Sequence, residues 1–159
     1  MKTIYHGGTK ILERPNVDAG RKGLDFGKGF YVTELFDQAQ RWAEKSARQR
    51  LEPPIINEYI FDDKKAESNY KHKIFTKYDQ EWLDFIVSCR KVSDCEDEYD
   101  YVEGGIANDR VIDTVEGYIN GTIDANHALR ELAKHQPNHQ ICFRSQKLVE
   151  ECVIFVKAK

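Results

Sequence analysis

Nothing in this sequence is long and apolar enough to cross a bilayer: the longest uninterrupted apolar run covers residues 152–156, where a membrane helix takes about 20. The first residues carry only Lys2 ahead of a short mixed stretch, without the apolar block of a secretory leader, so a cytoplasmic protein with no membrane partner is expected. Cysteine is scarce. Cys89, Cys95, Cys142 and Cys152 form no C-x-x-C pair, which argues against a disulfide-dense scaffold and structural zinc and favours reduced thiols. Cys142 and Cys152 sit in apolar, strand-like runs and are expected in the core, and Cys89, Cys95 and His72 do not make a convincing ligand set, so no metal is assigned. An excess of one charge is missing too, since 24 Lys and Arg face 27 Asp and Glu, and this excludes the basic stripe of a duplex-DNA binder. No repeat, low-complexity block or Pro/Gly/Ser-rich linker divides the chain, and residues 1–159 read as one domain.

What the sequence does have is 40% hydrophobic and 11% aromatic residues, enough for a core, and a charge that is unevenly spread. Residues 1–50 hold 10 basic and 6 acidic side chains, whereas residues 51–159 hold 14 and 21, so the first third suits an anionic ligand such as a pyrophosphate. A short strand at 3–6 runs into Gly7-Gly8, and a glycine loop from Gly23 feeds a strand that stops at Thr33, a helix cap. Leu35, Ala39, Trp42, Ala43 and Ala47 fall at helical spacing over 35–50, and Pro53-Pro54 ends that helix. Strands are expected at 55–61 and 70–76 with a polar loop between them, and a helix at 79–90 from the i, i+3, i+4, i+7 series Trp82, Phe85, Ile86, Cys89. Six carboxylates between Asp94 and Glu103 lack the alternating spacing of a calcium loop and read as solvated. Further helices follow at 111–119 and after the cap Asp124, then a strand at 140–143, a helical turn capped by Ser145, and a strand at 152–157. Strands and helices interleave irregularly, which predicts an α+β fold over a doubly wound sheet.

Several enzyme signatures are absent. Gly27-Lys28-Gly29 precedes a strand, lacks a third glycine and carries no G-K-[ST], so it is neither a dinucleotide fingerprint nor a phosphate loop. There is no G-x-S-x-G, and without H-E-x-x-H the histidines His127, His135 and His139 read as surface residues. Two segments resist that reading. Tyr5-His6-Gly7-Gly8-Thr9 ends a strand in an imidazole followed by two residues without side chains, which lets a ligand approach the backbone. Asp25-Phe26-Gly27-Lys28-Gly29-Phe30-Tyr31-Val32-Thr33 delivers a tyrosine to the mouth of a strand.

In this pairing the sequence resembles the ADP-ribosyltransferase superfamily of the diphtheria-toxin and poly(ADP-ribose)-polymerase type, whose His, Tyr and third polar residue, usually Glu, lie on three strands in that chain order. His6 matches the first and Tyr31 the second. With Ile106-Ala107-Asn108-Asp109-Arg110-Val111, the two segments look like a family of short bacterial domains of that superfamily whose function is unknown. The resemblance spans residues 3–156 and implies a split pair of small β-sheets packed face to face, with surrounding helices and NAD in the cleft. It puts Gln140 where the superfamily has its glutamate. The transition state for cleaving the bond between ribose and nicotinamide is oxocarbenium-like, so a carboxylate there orients the 2′-hydroxyl and offsets developing charge, while a glutamine does only the first. Glu103, read as lying in the loop before Gly104-Gly105, is the alternative carboxylate.

The implied roles follow. His6 would bond a ribose hydroxyl, the Gly7 backbone would pair with the nicotinamide carboxamide, Tyr31 would stack on the nicotinamide ring, and Arg110 would reach a phosphate. Thr33 would bond the sugar or cap the helix. On this reading the chain is a NAD-dependent mono-ADP-ribosyltransferase acting on an unidentified protein or nucleic acid, with a bacterial toxin paired to an antitoxin protein as the setting the resemblance suggests. The alternative is a non-catalytic nucleotide-binding or protein-interaction module with a degenerate cleft. Three consequences are expected: Tyr31→Phe keeps the stacking that Tyr31→Ala loses, Gly7→Val folds but does not bind, and Gln140→Glu raises NAD hydrolysis.

Overall fold

The computed structural model describes residues 1–21, 23–91, 98–107, 111–135 and 138–159. In chain order its elements are β1 (Lys2–Gly8), β2 (Phe30–Val32), α1 (Phe36–Arg50), β3 (Ile55–Phe61), α2 (Asp63–Asn69), β4 (His72–Ile74), α3 (Gln80–Lys91), β5 (Tyr101–Gly104), α4 (Ile112–Ile119), α5 (Ala125–Leu132), β6 (Gln140–Phe143), α6 (Gln146–Cys152) and β7 (Val153–Ala158), with one 3₁₀ turn at Val17–Ala19. The fold is α+β. Three strands form an antiparallel sheet in the order β1-β3-β7, and four form a mixed sheet in the order β2-β6-β5-β4, in which only β4 and β5 run parallel.

Period-two alternation decides which way each strand faces. In the mixed sheet Phe30, Val32, Tyr101, Ile141 and Phe143 turn one way and meet Ile4, Tyr59 and Phe61 of the antiparallel sheet. Val102 and Cys142 turn the other way, into a second core with Phe26, Trp82, Leu83, Ile86, Val115 and Leu132. Both faces of β6 are therefore buried, and each large side chain sealed in these layers contributes about 1.5–3 kcal/mol. Among the described residues one backbone bridge joins the two sheets, in which Tyr5 and Thr33 exchange N–H···O bonds of 2.8 and 2.9 Å. Beyond that bridge β1 and β2 part.

Local chemistry accounts for the helix ends. Asp62, Asp79, Asp124 and Ser145 each accept from the backbone N–H three residues on, as N-caps do. Helix α1 ends at Leu51 in the left-handed region (φ 56°), its N–H bonded to Ala47 O, with Arg48 and Arg50 in the last turn.

The segment expected as a polar loop after β3 is helix α2. Its sequence, Asp63-Lys64-Lys65-Ala66-Glu67-Ser68-Asn69, has good helix formers behind the Asp62 cap but only Ala66 to bury, too little for an apolar period to register. The turn after Ser145 is a seven-residue helix, and Cys152 ends it instead of opening β7. Reduced thiols were expected throughout; Cys142 and Cys152 are free and buried, but Cys89 is disulfide-bonded. Among the described residues no helix is long and apolar enough to cross a membrane.

Candidate functional site

Where β1 and β2 diverge there is a cavity of about 830 Å³, within the range of small-molecule sites. His6 and Gly7 of β1, Tyr31 of β2 and Gln140 of β6 all line it.

The Gly7 backbone faces this space for a reason of strand parity. Tyr5 spends its N–H and C=O on Thr33, so Gly7, two residues on, turns the same way, and its register partner Ile56 spends its own on Lys159 at 2.7 and 3.0 Å. Gly7 N–H and C=O therefore point away from β3, toward the cavity. The missing side chain answers a different need: a Cβ on Gly7 would lie 1.9 Å from Ala39 O of α1. Glycine is required there by close helix packing, which corrects the expectation that Gly7→Val folds normally.

His6 donates from Nδ1 to the carbonyl of Tyr31 at 2.8 Å, and because a carbonyl only accepts, this fixes the tautomer and leaves Nε2 as an acceptor beside Gly8. Burial lowers its pKa against the opposing effect of that hydrogen bond, so the ring is neutral at neutral pH. Tyr31 uses its hydroxyl to pin the glycine loop, accepting from Phe26 N–H at 3.1 Å and donating to Gly27 O at 2.5 Å. Gly27 takes φ 79°, a conformation that favours glycine, and so brings its carbonyl to that hydroxyl. Burial pushes the Tyr31 pKa far up, and a thiol on the neighbouring strand, Cys142, is pushed up to about 12 by its own burial. The Tyr31 hydroxyl is thus a structural donor and acceptor, and its ring lines the cavity.

Gln140 is buried, and its amide nitrogen donates to Asp25 Oδ2 at 3.1 Å and to Gly105 O at 3.2 Å. Asp25, also buried, accepts from Ala107 N–H at 2.8 Å and, through Oδ1, from Arg90 Nε at 3.0 Å and Nη2 at 2.5 Å. Helix α3 and the segment just ahead of it hold the other side of this network, since Trp82 Nε1 of α3 donates to Gly105 O at 3.0 Å and the Tyr78 hydroxyl, before the helix, to Ile106 O at 2.8 Å.

The cavity is strongly cationic. Lys10, Arg14, Arg21, Lys45 and Arg50 line it beside Arg90, Asp25 is the one carboxylate among the described lining residues, and the first five make no ion pair there. The field favours an anion, and the planar guanidinium forks suit phosphate oxygens.

A family model described as a protein of unknown function, DUF3990, matches residues 2–155. The chain belongs to the DUF3990 family. Neither a curated protein nor a solved structure matches it.

Two residues singled out from the sequence of this DUF3990 chain lie elsewhere. Thr33 is fully buried and does not line the cavity; its Oγ1 accepts from Leu35 N–H at 3.1 Å ahead of α1, whose N-cap is Leu35 without a side-chain cap bond, so Thr33 is not the helix cap that was expected. Glu103 is on strand β5, not in a loop, and its register partner is Ile141, so it faces away from Gln140. There it meets Lys2 Nζ at 3.2 Å and His139 Nε2 at 2.9 Å. His139 is consequently no free surface residue: its Nδ1 accepts from Glu34 N–H at 3.1 Å. Glu34, Glu103 and His139 bring potential ligand atoms within 4.8 Å of one another, but Lys2 already supplies a cation between the carboxylates, 2.8 Å from Glu34. Arg110 lies outside the described residues.

The DUF3990 cavity also contains residues that sequence reasoning passed over. Asp25 and Arg90 are 65 positions apart, and no local pattern pairs them. The rim cations carried one legible signal, the +4 balance of residues 1–50, which contain five of the six.

Proposed function

We propose that this chain binds NAD in the cationic cavity and transfers its ADP-ribose to a macromolecule. The observation that carries the reading is convergence: the outward Gly7 backbone, the Nε2 of His6, Tyr31 and the amide of Gln140 come from three strands to one cavity lined by Lys10, Arg14, Arg21, Lys45 and Arg50, which make no ion pair among the described residues. Gly7 N–H and C=O offer one donor and one acceptor, the complement of a carboxamide. The face of Tyr31 suits a cationic nicotinamide ring, a contact worth about 0.5–2 kcal/mol. The rim guanidinium groups suit the pyrophosphate, and His6 Nε2 accepts from a ribose hydroxyl. Gln140 Oε1 would hold the second ribose through its 2′-hydroxyl while the bond to nicotinamide breaks and the acceptor, or water, takes the anomeric carbon. An antitoxin protein as partner and a cytoplasmic setting belong to the same proposal.

Calorimetry with NAD, followed by incubation with NAD labelled in the adenylate half and a bacterial lysate, tests it. Binding, nicotinamide release and label in a macromolecular fraction are expected; absence of NAD binding overturns the reading. One observation favours a second reading, a binding module without catalysis: the only carboxylate lining the cavity among the described residues, Asp25, is already bonded to four N–H groups and is not free to oppose developing positive charge. NAD binding without nicotinamide release under any acceptor selects it.

A further inference from the structure

Gln140 stands where a carboxylate was expected, yet its surroundings are made for an amide. The two oxygens nearest its Nε2, Asp25 Oδ2 and Gly105 O, only accept hydrogen bonds, so the nitrogen must face them. Each is itself held: Asp25 by Arg90 and Ala107 N–H, and Gly105 O by Trp82 Nε1. With the nitrogen fixed on that side, Oε1 is the amide atom left for the cavity.

We propose that Asp25 is the positioning residue for Gln140, holding its amide in the one orientation that offers Oε1 to a sugar hydroxyl, and that position 140 is thereby closed to a carboxylate. The identity of that hydroxyl rests on the function proposed above; the positioning does not. A glutamate at 140 would put a second carboxylate about 3 Å from Asp25 and against a carbonyl oxygen. Two carboxylates so close do not both ionise, so one binds a proton that the wild type does not. Gln140→Glu is therefore expected to weaken the site at neutral pH instead of restoring a lost catalytic group.

Among the described residues, the other ionisable groups around the pair are these. Arg90 from α3 stays charged, Tyr31 from β2 and Cys142 from β6 are held protonated by burial, and His6 from β1 is held neutral. The cations Lys10, Arg14, Arg21, Lys45 and Arg50 line the same cavity, and His139 and Glu103 face the opposite side of β6. Comparing variant with wild type at each pH cancels what remains.

The test is the melting temperature of the ligand-free chain from pH 5 to pH 8 for wild type, Gln140→Glu, Asp25→Asn and the double variant. Gln140→Glu should melt near wild type at pH 5 and fall progressively below it toward pH 8. In the Asp25→Asn background the pH dependence of that gap should largely vanish, because the opposing charge is gone. A Gln140→Glu chain as stable as wild type at pH 8, or a gap that persists unchanged without Asp25, overturns the proposal. If Asp25→Asn does not fold, the pH dependence of Gln140→Glu alone decides.

Positioning also has a kinetic mark. With nicotinamide release as readout, Asp25→Asn should lower kcat at least tenfold with little change in KM, and Asp25→Glu should recover part of it; a loss confined to KM or equal in both variants speaks for a merely structural Asp25. If the wild type releases no nicotinamide while the melting series behaves as expected, the proposed function fails and the positioning of Gln140 stands.

Discussion

Two polar clusters sit back to back on β6, one residue apart, and they treat charge in opposite ways. On the cavity side Gln140 and Asp25 are buried, and Asp25 has both oxygens filled by two donors each. On the other side His139 and Glu103 meet Lys2 and Glu34 where water still reaches, with side chains 13–36% exposed. The first cluster fixes geometry, because every hydrogen-bonding direction of the buried Asp25 carboxylate is taken by a protein donor. The second is an ion-pair network whose members water can solvate if a partner is lost. Burial, more than charge, decides which cluster the structure depends on.

The largest expected effect lies outside both clusters and calibrates them. Gly7→Val drives a side chain into Ala39 O, and because the obstacle is helix backbone, overpacking at the upper end of the usual range, about 3 kcal/mol or more, should appear in urea denaturation. A Gly7→Val chain with wild-type stability would contradict the α1 packing. Next comes the direct contrast: Asp25→Ala strands the Arg90 charge and the Gln140 amide and should cost about 3–5 kcal/mol, whereas Glu103→Ala should cost about 1 kcal/mol. Equal losses would break the comparison.

Tyr31→Phe is expected to cost about 1–3 kcal/mol, since Phe26 N–H and Gly27 O lose their shared partner, and to weaken NAD binding through a loosened loop. This adds a role for the hydroxyl to the stacking expected of the ring, and Tyr31→Phe matching wild type in both respects would remove it. The smallest effects are in pH dependence. The lowered pKa of His6 means that folding favours its neutral form, so its contribution is complete above pH 6.5 and lost as pH falls below that value. Burial alone would raise Glu103, but hydrogen bonding from His139 and the nearby Lys2 outweigh it and the pKa is lowered, so its contribution holds above about pH 4.5 and disappears in more acid solution. Acid titration of stability should show two steps, the upper removed by His6→Ala and the lower flattened by Glu103→Gln.

Strand and helix positions were largely legible because periodicity is local: 55–61 and 140–143 were read to the residue, and Asp124 and Ser145 cap as their chemistry suggests. Helix α2 was missed because a two-turn surface helix buries a single alanine. In the cavity, His6, Gly7, Tyr31 and Gln140 were visible as motif residues, but Asp25 was seen only as part of a glycine loop and Arg90 only as the end of a helix. What joins them is a contact between residues 65 and 115 positions apart, which no spacing rule encodes. Glu103 misled for a related reason: whether it faces Gln140 depends on the register of β5 against β6, and a shift of one residue reverses it.

The bridge between Tyr5 and Thr33 gives the chain an internal gauge of its own opening. Those two N–H···O bonds are the only backbone bonds joining the sheets among the described residues, and in the chain they stand next to His6 and two residues from Tyr31, both of which line the cavity. The amide protons of Tyr5 and Thr33 therefore exchange with solvent in proportion to the fraction of time the sheets are apart there, while the β1–β3 amides report on unfolding of the antiparallel sheet itself. A ligand that spans both sheets must slow the first set more than the second, so deuterium uptake at Tyr5 and Thr33 measures occupancy of the cleft without any knowledge of the acceptor.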